Sequence, residues 1–225
     1  MIFSKSSKAR LTARDLDRFA GHTLFDRIGR AVCRAGCLPR KELYEAWEVA
    51  RRARRLFRGG RVVDLGGGHG LLAQIMLLLD DSSALALVVD KSLPASRAKV
   101  HAALVESWPR LAGRVEFVER AIEEVELCAT DVVVSSHACG DLTDTVLTRA
   151  LAARARVAVL PCCHDEETCD AGALSGWVDA GLAIDIMRAV RLEAHGYRVW
   201  TQTIPGAITP KNRLLLAAPN SESGP

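Results

Sequence analysis

The residues of this chain whose types and spacing most directly suggest chemistry are Asp64-Leu-Gly-Gly-Gly-His-Gly70 and, twenty positions on, Asp90. The run Arg61-Val-Val-Asp-Leu-Gly-Gly-Gly-His-Gly-Leu-Leu-Ala73 reads as a short apolar strand, a carboxylate near its end, a glycine-rich turn and the start of a helix. Gly66, Gly68 and Gly70, with Gly67 between them, permit positive φ and let a ligand approach the backbone with no Cβ in the way. The dinucleotide fingerprint G-x-G-x-x-G fails at Leu71 or at Ala73, and no G-x-x-x-x-G-K-[ST] is present. Asp64 beside the turn repels a phosphate and attracts an ammonium group. A second apolar strand delivers Asp90, where a carboxylate can accept both hydroxyls of a ribose. The alternative for Asp90-Lys91-Ser92 is a plain surface turn. Together the turn and the two carboxylates describe a site for a ligand with a nucleoside part and a cationic or neutral end.

A second group of reactive side chains lies in Ser135-Ser-His-Ala-Cys-Gly-Asp-Leu-Thr-Asp144 and Leu160-Pro-Cys-Cys-His-Asp165. Each segment follows an apolar strand, so parallel pairing delivers both to the sheet edge that carries the glycine turn. Three uses compete. Cys139, Cys162, Cys163, His137 and His164 are side chains of the kind that hold zinc. His137, Asp141 or His164 can do acid–base work or orient a substrate near neutral pH. Cysteines also pack as small apolar groups, the expectation for Cys33, Cys37, Cys128 and Cys169. No resident metal is assigned, because C-x2-4-C spacing is missing and adjacent Cys162 and Cys163 diverge on regular extended backbone. His137, Asp141 and His164 are the catalytic candidates; Cys139, Cys162 and Cys163 are placed against the substrate.

Val63-Asp-Leu-Gly-Gly-Gly-His-Gly70 followed by Val88-Val-Asp90 resembles the first two motifs of class I S-adenosylmethionine-dependent methyltransferases over roughly residues 60–218. The resemblance implies S-adenosylmethionine as cofactor. Gly66, Gly67, Gly68 and Gly70 would lie against its methionine and ribose parts, Asp64 beside its amino end and Asp90 on the ribose hydroxyls. Ser136 is grouped with these cofactor residues. The His-Ala-Cys-Gly and Pro-Cys-Cys-His segments, with Thr209-Pro-Lys-Asn-Arg213, resemble the branch of the transfer RNA 2'-O-methyltransferase Trm13 and methyltransferase-like protein 25. The zinc-binding additions of the RNA-modifying member are not visible. The Asn/Asp-Pro-Pro-aromatic signature of amino-methylating enzymes is also absent after the fourth strand.

Strand-like runs at Val62–Leu65, Leu85–Val89, Val115–Val118, Asp131–Ser135, Val157–Leu160, Tyr197–Thr203 and Arg213–Ala218 alternate with helical or mixed segments. The expected architecture is α/β, a Rossmann-like fold with a mostly parallel seven-stranded sheet flanked by helices. A basic helical extension (1–59) precedes the S-adenosylmethionine-binding domain (60–218), and a flexible tail (219–225) follows. The extension is read as one helix from Thr12, capped with Asp15, to about Ala35, and a second past Leu43 that carries Arg51, Arg52, Arg54, Arg55 and Arg58 on its outer faces.

The net charge of +3 conceals a division. Residues 1–61 hold 16 Lys and Arg against 6 Asp and Glu, whereas the remaining 164 hold 14 against 21. A basic cap on an acidic body points to RNA contact through Arg51 and Arg55, against the alternative of a solvated helix face. RNA methylation is preferred to methylation of a small molecule or protein, and a non-catalytic binding module is the remaining class. No 18-residue apolar run and no secretory leader is present, so a cytoplasmic protein with seven reduced cysteines and no membrane partner is expected. Oligomeric state is left open.

Overall fold

In the computed structural model, residues 3–220 are described. The sheet has seven strands: β1 (Val62–Leu65), β2 (Ala86–Asp90), β3 (Val115–Glu119), β4 (Val132–Ser135), β5 (Arg156–Val159), β6 (Tyr197–Thr203) and β7 (Arg213–Pro219). Their order is β3-β2-β1-β4-β5-β7-β6. β1 to β5 are parallel, and β7 runs antiparallel between β5 and β6. The order reverses between β1 and β4, and such a switch point opens a crevice at the carboxyl ends of the strands. The glycine turn leaves β1 there.

The central strands are continuously apolar because helices cover both faces of the sheet. Val62, Val132 and Leu216 join one core, while Val63, Val133 and Leu215 join the other. The helices are α1 (Leu24–Ala35), α2 (Arg40–Leu56), α3 (Leu71–Leu79), α4 (Arg97–Ser107), α5 (Leu142–Ala153) and α6 (Ala180–Ala194). α1, α2, α3 and α4 contribute to the first core, α5 and α6 to the second. The amino-terminal helices are therefore built into the main body: Ile28, Leu43, Val49 and Ala53 are fully buried. This is a Rossmann-like α/β fold with a helical amino-terminal extension.

Two expectations need correction. The segment 12–35 is not one helix: a 3-10 stretch, Ala13–Phe19, is followed by a break and then α1. Thr12 and Asp15 do pair at the first start, with the Thr12 N–H donating to Asp15 Oδ2 at 3.0 Å. A second start is built the same way. The Thr23 hydroxyl accepts from the Asp26 N–H at 3.1 Å, and Asp26 Oδ2 accepts from the Thr23 N–H at 3.2 Å. Folding back at the break seats Phe19 on Gly29, where any Cβ would fall 2.3 Å from its ring.

The arginine row of α2 is also not a uniform outer face. Arg54 is buried and donates to the carbonyls of Met76 and Phe57 and to the Ser83 hydroxyl. It thereby satisfies backbone acceptors near the ends of α2 and α3. Arg51 and Arg52 pair with Glu48, and only Arg55 and Arg58 of the row stand exposed. At the other terminus Pro219 closes β7, so the tail does not begin there; residues 221–225 lie outside the described part.

Candidate functional site

The glycine turn is shaped from below by Asp64. This carboxylate is 1% exposed and accepts the Ala73 N–H of α3 at 3.3 Å. A Cβ on Gly67 would fall 2.8 Å from its Cγ, so the turn lies directly on it. Burial pushes the Asp64 carboxyl up to about 7; the Ala73 bond opposes this, and the neighbouring Asp90 and Glu42 charges add to it.

Gly66, Gly68 and Gly70 all have positive φ, at 69°, 50° and 68°. Their surroundings differ. A Cβ on Gly70 would meet Phe117 and Val88 at 2.8 Å, so that position is closed by packing. A Cβ on Gly68 would meet nothing within 4 Å, so the space above the turn is open at this residue. The Gly68 N–H donates to Asp90 Oδ2 at 3.1 Å, and Asp90 Oδ1 accepts the Ser92 N–H at 3.2 Å. Each Asp90 oxygen keeps a further lone pair for a ligand hydroxyl. The donor set thus suits hydroxyls and a cationic end, and the turn supplies no Lys or Arg for a pyrophosphate.

Sequence reasoning missed the residues that tie this turn to the extension. His69 Nε2 lies 2.9 Å from the Ser96 hydroxyl, and its Nδ1 lies 3.5 Å from Glu42 on α2. Gln74 is fully buried, donates to the Gly70 carbonyl at 3.1 Å and meets His101 Nδ1 at 2.9 Å.

The β4 and β5 loops come together at the same edge. The Ser135 hydroxyl donates to the Leu65 carbonyl at 2.6 Å, and a Cβ on Gly66 would lie 3.8 Å from the Ala138 nitrogen. The β4 loop therefore sits against the glycine turn. Ser136 is buried, and His137 and Asp141 are exposed. No hydrogen bond links Asp141 to either histidine among the described residues. His164 Nε2 is instead 2.9 Å from Asp185 on α6, with its side chain 8% exposed. The Arg213 Nε donates to the other Asp185 oxygen at 2.6 Å. Burial raises the Asp185 carboxyl, but the bonds from His164 and Arg213 outweigh it and hold the group below the usual range.

The sulfurs of Cys139, Cys162 and Cys163 lie within 4.8 Å of one another. The divergence expected of adjacent Cys162 and Cys163 does not occur, because β5 ends at Val159 and residues 160–165 are irregular. Burial raises the thiols of Cys139 and Cys162.

A cavity of about 770 Å³ opens along the same sheet edge toward β6. Arg52, Arg55 and Arg213 line one part, while Leu182, Ile186 and Val190 of α6 line another. Arg55 thus faces this cavity, whereas Arg51 is not among the residues that line it and pairs with Glu48. No described helix is long and apolar enough to cross a membrane.

Comparison with known proteins agrees with this geometry. A methyltransferase-domain family matches residues 42–169, more than half of the chain. No curated protein matches it by sequence. Among solved structures, an O-methyltransferase family protein from Burkholderia thailandensis aligns at 19% identity and a TM-score of 0.54, covering 93% of this chain and 64% of that one. The tRNA methyltransferase TrmK of B. subtilis aligns at 13% identity and 0.51, covering 77% and 66%. The mitomycin 7-O-methyltransferase MmcR aligns at 22% identity and 0.51, covering 91% and 60%. The chain therefore spans 60–66% of the length of these structures, and at such identities the likeness is one of fold. By its family match and its sheet order, the chain belongs to the methyltransferase-domain family and has the S-adenosylmethionine-binding fold of that class.

Proposed function

We propose that this chain binds S-adenosylmethionine on the Gly66–Gly70 turn and methylates RNA. The observation that carries the reading is the bond from the Gly68 N–H to Asp90, which ties the ends of β1 and β2 together beside the open space at Gly68. Asp90 would hold the ribose hydroxyls. Gly66, Gly67 and Gly68 would present backbone to the ligand, and Asp64, once ionised, would act through the turn as a negative charge. When bound, the cofactor supplies an electrophilic methyl on a sulfonium, so the protein's task is chiefly to align a nucleophile. His137, exposed beside the turn, would receive the proton of that nucleophile. His164, held by Asp185, would be a positioning residue of the adjoining wall.

RNA is favoured as acceptor by the basic amino-terminal segment, by exposed Arg55 and Arg58, and by the His-Ala-Cys-Gly and Pro-Cys-Cys-His segments of the transfer RNA-modifying branch. A second reading, methylation of a small molecule, is favoured by the cavity, whose apolar α6 wall opposite Arg52, Arg55 and Arg213 suits a compact ligand with an apolar body and polar groups.

Gly68→Ala tests the cofactor site. Its Cβ meets no neighbouring atom, but at a φ of 50° alanine is strained and should cost about 1–2 kcal/mol of stability, so affinity is compared on protein shown to be folded. Crowding a ligand at that point costs about 1–3 kcal/mol, a loss of about 5- to 150-fold in S-adenosylhomocysteine affinity. Unchanged affinity in calorimetric titration would place the cofactor elsewhere. Labelled methyl transfer into fractionated RNA, protein and metabolites then decides the acceptor. Label in RNA that declines with added salt is expected; label confined to metabolites would establish the second reading.

A further inference from the structure

Three sulfurs, two of them exposed, meet where the β4 and β5 loops adjoin the glycine turn. Cys139 Sγ is 2.8 Å from Cys162 Sγ, and Cys163 Sγ completes a group within 4.8 Å. Apolar packing does not account for it: cysteines that act as small hydrophobes are buried, as Cys33 and Cys169 are here, whereas Cys139 and Cys163 face solvent. A simple thiol pair does not account for it either, because Cys162 and Cys163 are neighbours in the chain and both turn toward Cys139.

We propose that Cys139, Cys162 and Cys163 form a three-thiolate site for a thiophilic divalent cation, zinc by ligand preference, with a fourth coordination position left to solvent or to an acceptor atom. Tetrahedral zinc holds thiolates at about 2.3 Å, which sets the sulfurs about 3.8 Å apart. Adjustments of about 1 Å bring all three to that spacing. The loops that carry them are already fixed on both sides. Ala138 accepts the Thr143 hydroxyl at 2.7 Å, and the Gly140 carbonyl accepts from Arg188 Nη2 at 3.1 Å, one residue either side of Cys139. The Leu160 N–H bonds the Ser135 carbonyl at 2.9 Å, and His164 is held by Asp185, bracketing Cys162 and Cys163. Ligands on immobilised loops lose little freedom when the ion enters.

Binding breaks three S–H bonds and forms three metal–sulfur bonds, releasing three protons to solvent and leaving a site charge of −1. The Lys211 ammonium is close enough to interact with Cys139 and offsets part of it. A metal with three protein ligands and an open position acts as a Lewis acid toward the atom that takes the fourth place. At this edge of the sheet that atom would stand beside the cofactor turn.

The test uses the full chain, reduced and then freed of reductant, titrated with Zn²⁺ against a chromophoric chelator and separately with Co²⁺. The expected result is one metal per chain, with Co²⁺ showing thiolate charge-transfer and tetrahedral bands. Cys139→Ser and Cys162→Ser each remove a direct ligand and should weaken Zn²⁺ binding by more than the roughly 10- to 100-fold that loss of an outer-shell partner costs, while Cys128→Ser, outside the cluster, should bind like the parent. The wild-type Co²⁺ spectrum decides even where a variant folds poorly, and circular dichroism identifies such a variant. Metal uptake no tighter in the parent than in Cys139→Ser, or weakened equally by Cys128→Ser, would overturn the site. So would a Cys139–Cys162 disulfide in the parent that persists with Zn²⁺ present.

Discussion

Replacing Arg188 by alanine should lower the stability of the protein by about 3 kcal/mol, and do so without touching the glycine turn. Arg188 on α6 is 2% exposed. Its Nε and Nη2 donate to the two Asp144 oxygens of α5 at 3.0 and 2.6 Å, and its Nη1 donates to Asp185 at 3.2 Å. Burial works against its charge, but Asp144 and Asp185 outweigh that effect and hold the guanidinium firmly protonated. Removing one member of a buried ion pair costs about 3–5 kcal/mol, because the partner is left unpaired in a medium that solvates it poorly. Asp185 keeps His164 and Arg213, and Asp144 is partly reached by water, so the lower end applies. For a chain of this size that loss corresponds to a fall of roughly 6–12 °C in Tm. Arg188→Lys keeps the charge but not the fork and should fall between the two. A drop in Tm of less than about 2 °C for Arg188→Ala would show that the network is not what holds α5 to α6. The Gly140 carbonyl also loses its donor, so protection from hydrogen exchange in residues 137–141 should fall further than in β1.

That network marks where the sequence stopped being informative. The strands were legible because a parallel strand covered on both faces must be apolar throughout, and Val132–Val134 and Val62–Val63 are. The glycine turn was legible because positive φ and a close backbone approach leave few alternatives to glycine. Asp144, Asp185 and Arg188 carry no such mark. The last two sit three apart on one helix, a spacing common on solvated faces, and only the packing of α6 on α5 brings Asp144 to them. Arg54 misled for a related reason: an arginine within a basic row looks solvated until the carbonyls of Met76 and Phe57 are placed around it. Cys162 and Cys163 misled because alternation applies within a strand, and β5 has ended before them. In each case a local rule was applied correctly to a residue whose environment is set by contacts distant in sequence.

Asp64→Asn should stabilise the protein while weakening its hold on the cofactor, and both effects should grow with pH. The Asp64 carboxyl, raised by burial to about 7 in the folded chain, has an ordinary value of 3.8. Between about pH 4 and pH 7 the folded state therefore keeps a proton that the unfolded state has released. Stability from this group is fully present below pH 4, falls as pH rises through that window, and stays at its low level above pH 7. Asparagine carries no such proton, and its amide oxygen can still accept the Ala73 N–H. The variant should match the parent near pH 4 and exceed it by roughly 2–4 kcal/mol at pH 8, measured as denaturant midpoints across the range. A constant difference at all pH values would mean that Asp64 is not the titrating group. The cofactor reverses the preference. A cationic ligand end above the turn favours the ionised carboxylate, so S-adenosylhomocysteine affinity in the parent should rise between pH 6 and 8 and stay level in Asp64→Asn. Equal pH profiles in the two proteins would remove Asp64 from cofactor binding. If they diverge, the cost of burying a lone carboxylate under Gly67 is explained as the cost of a site kept ready for a positive charge.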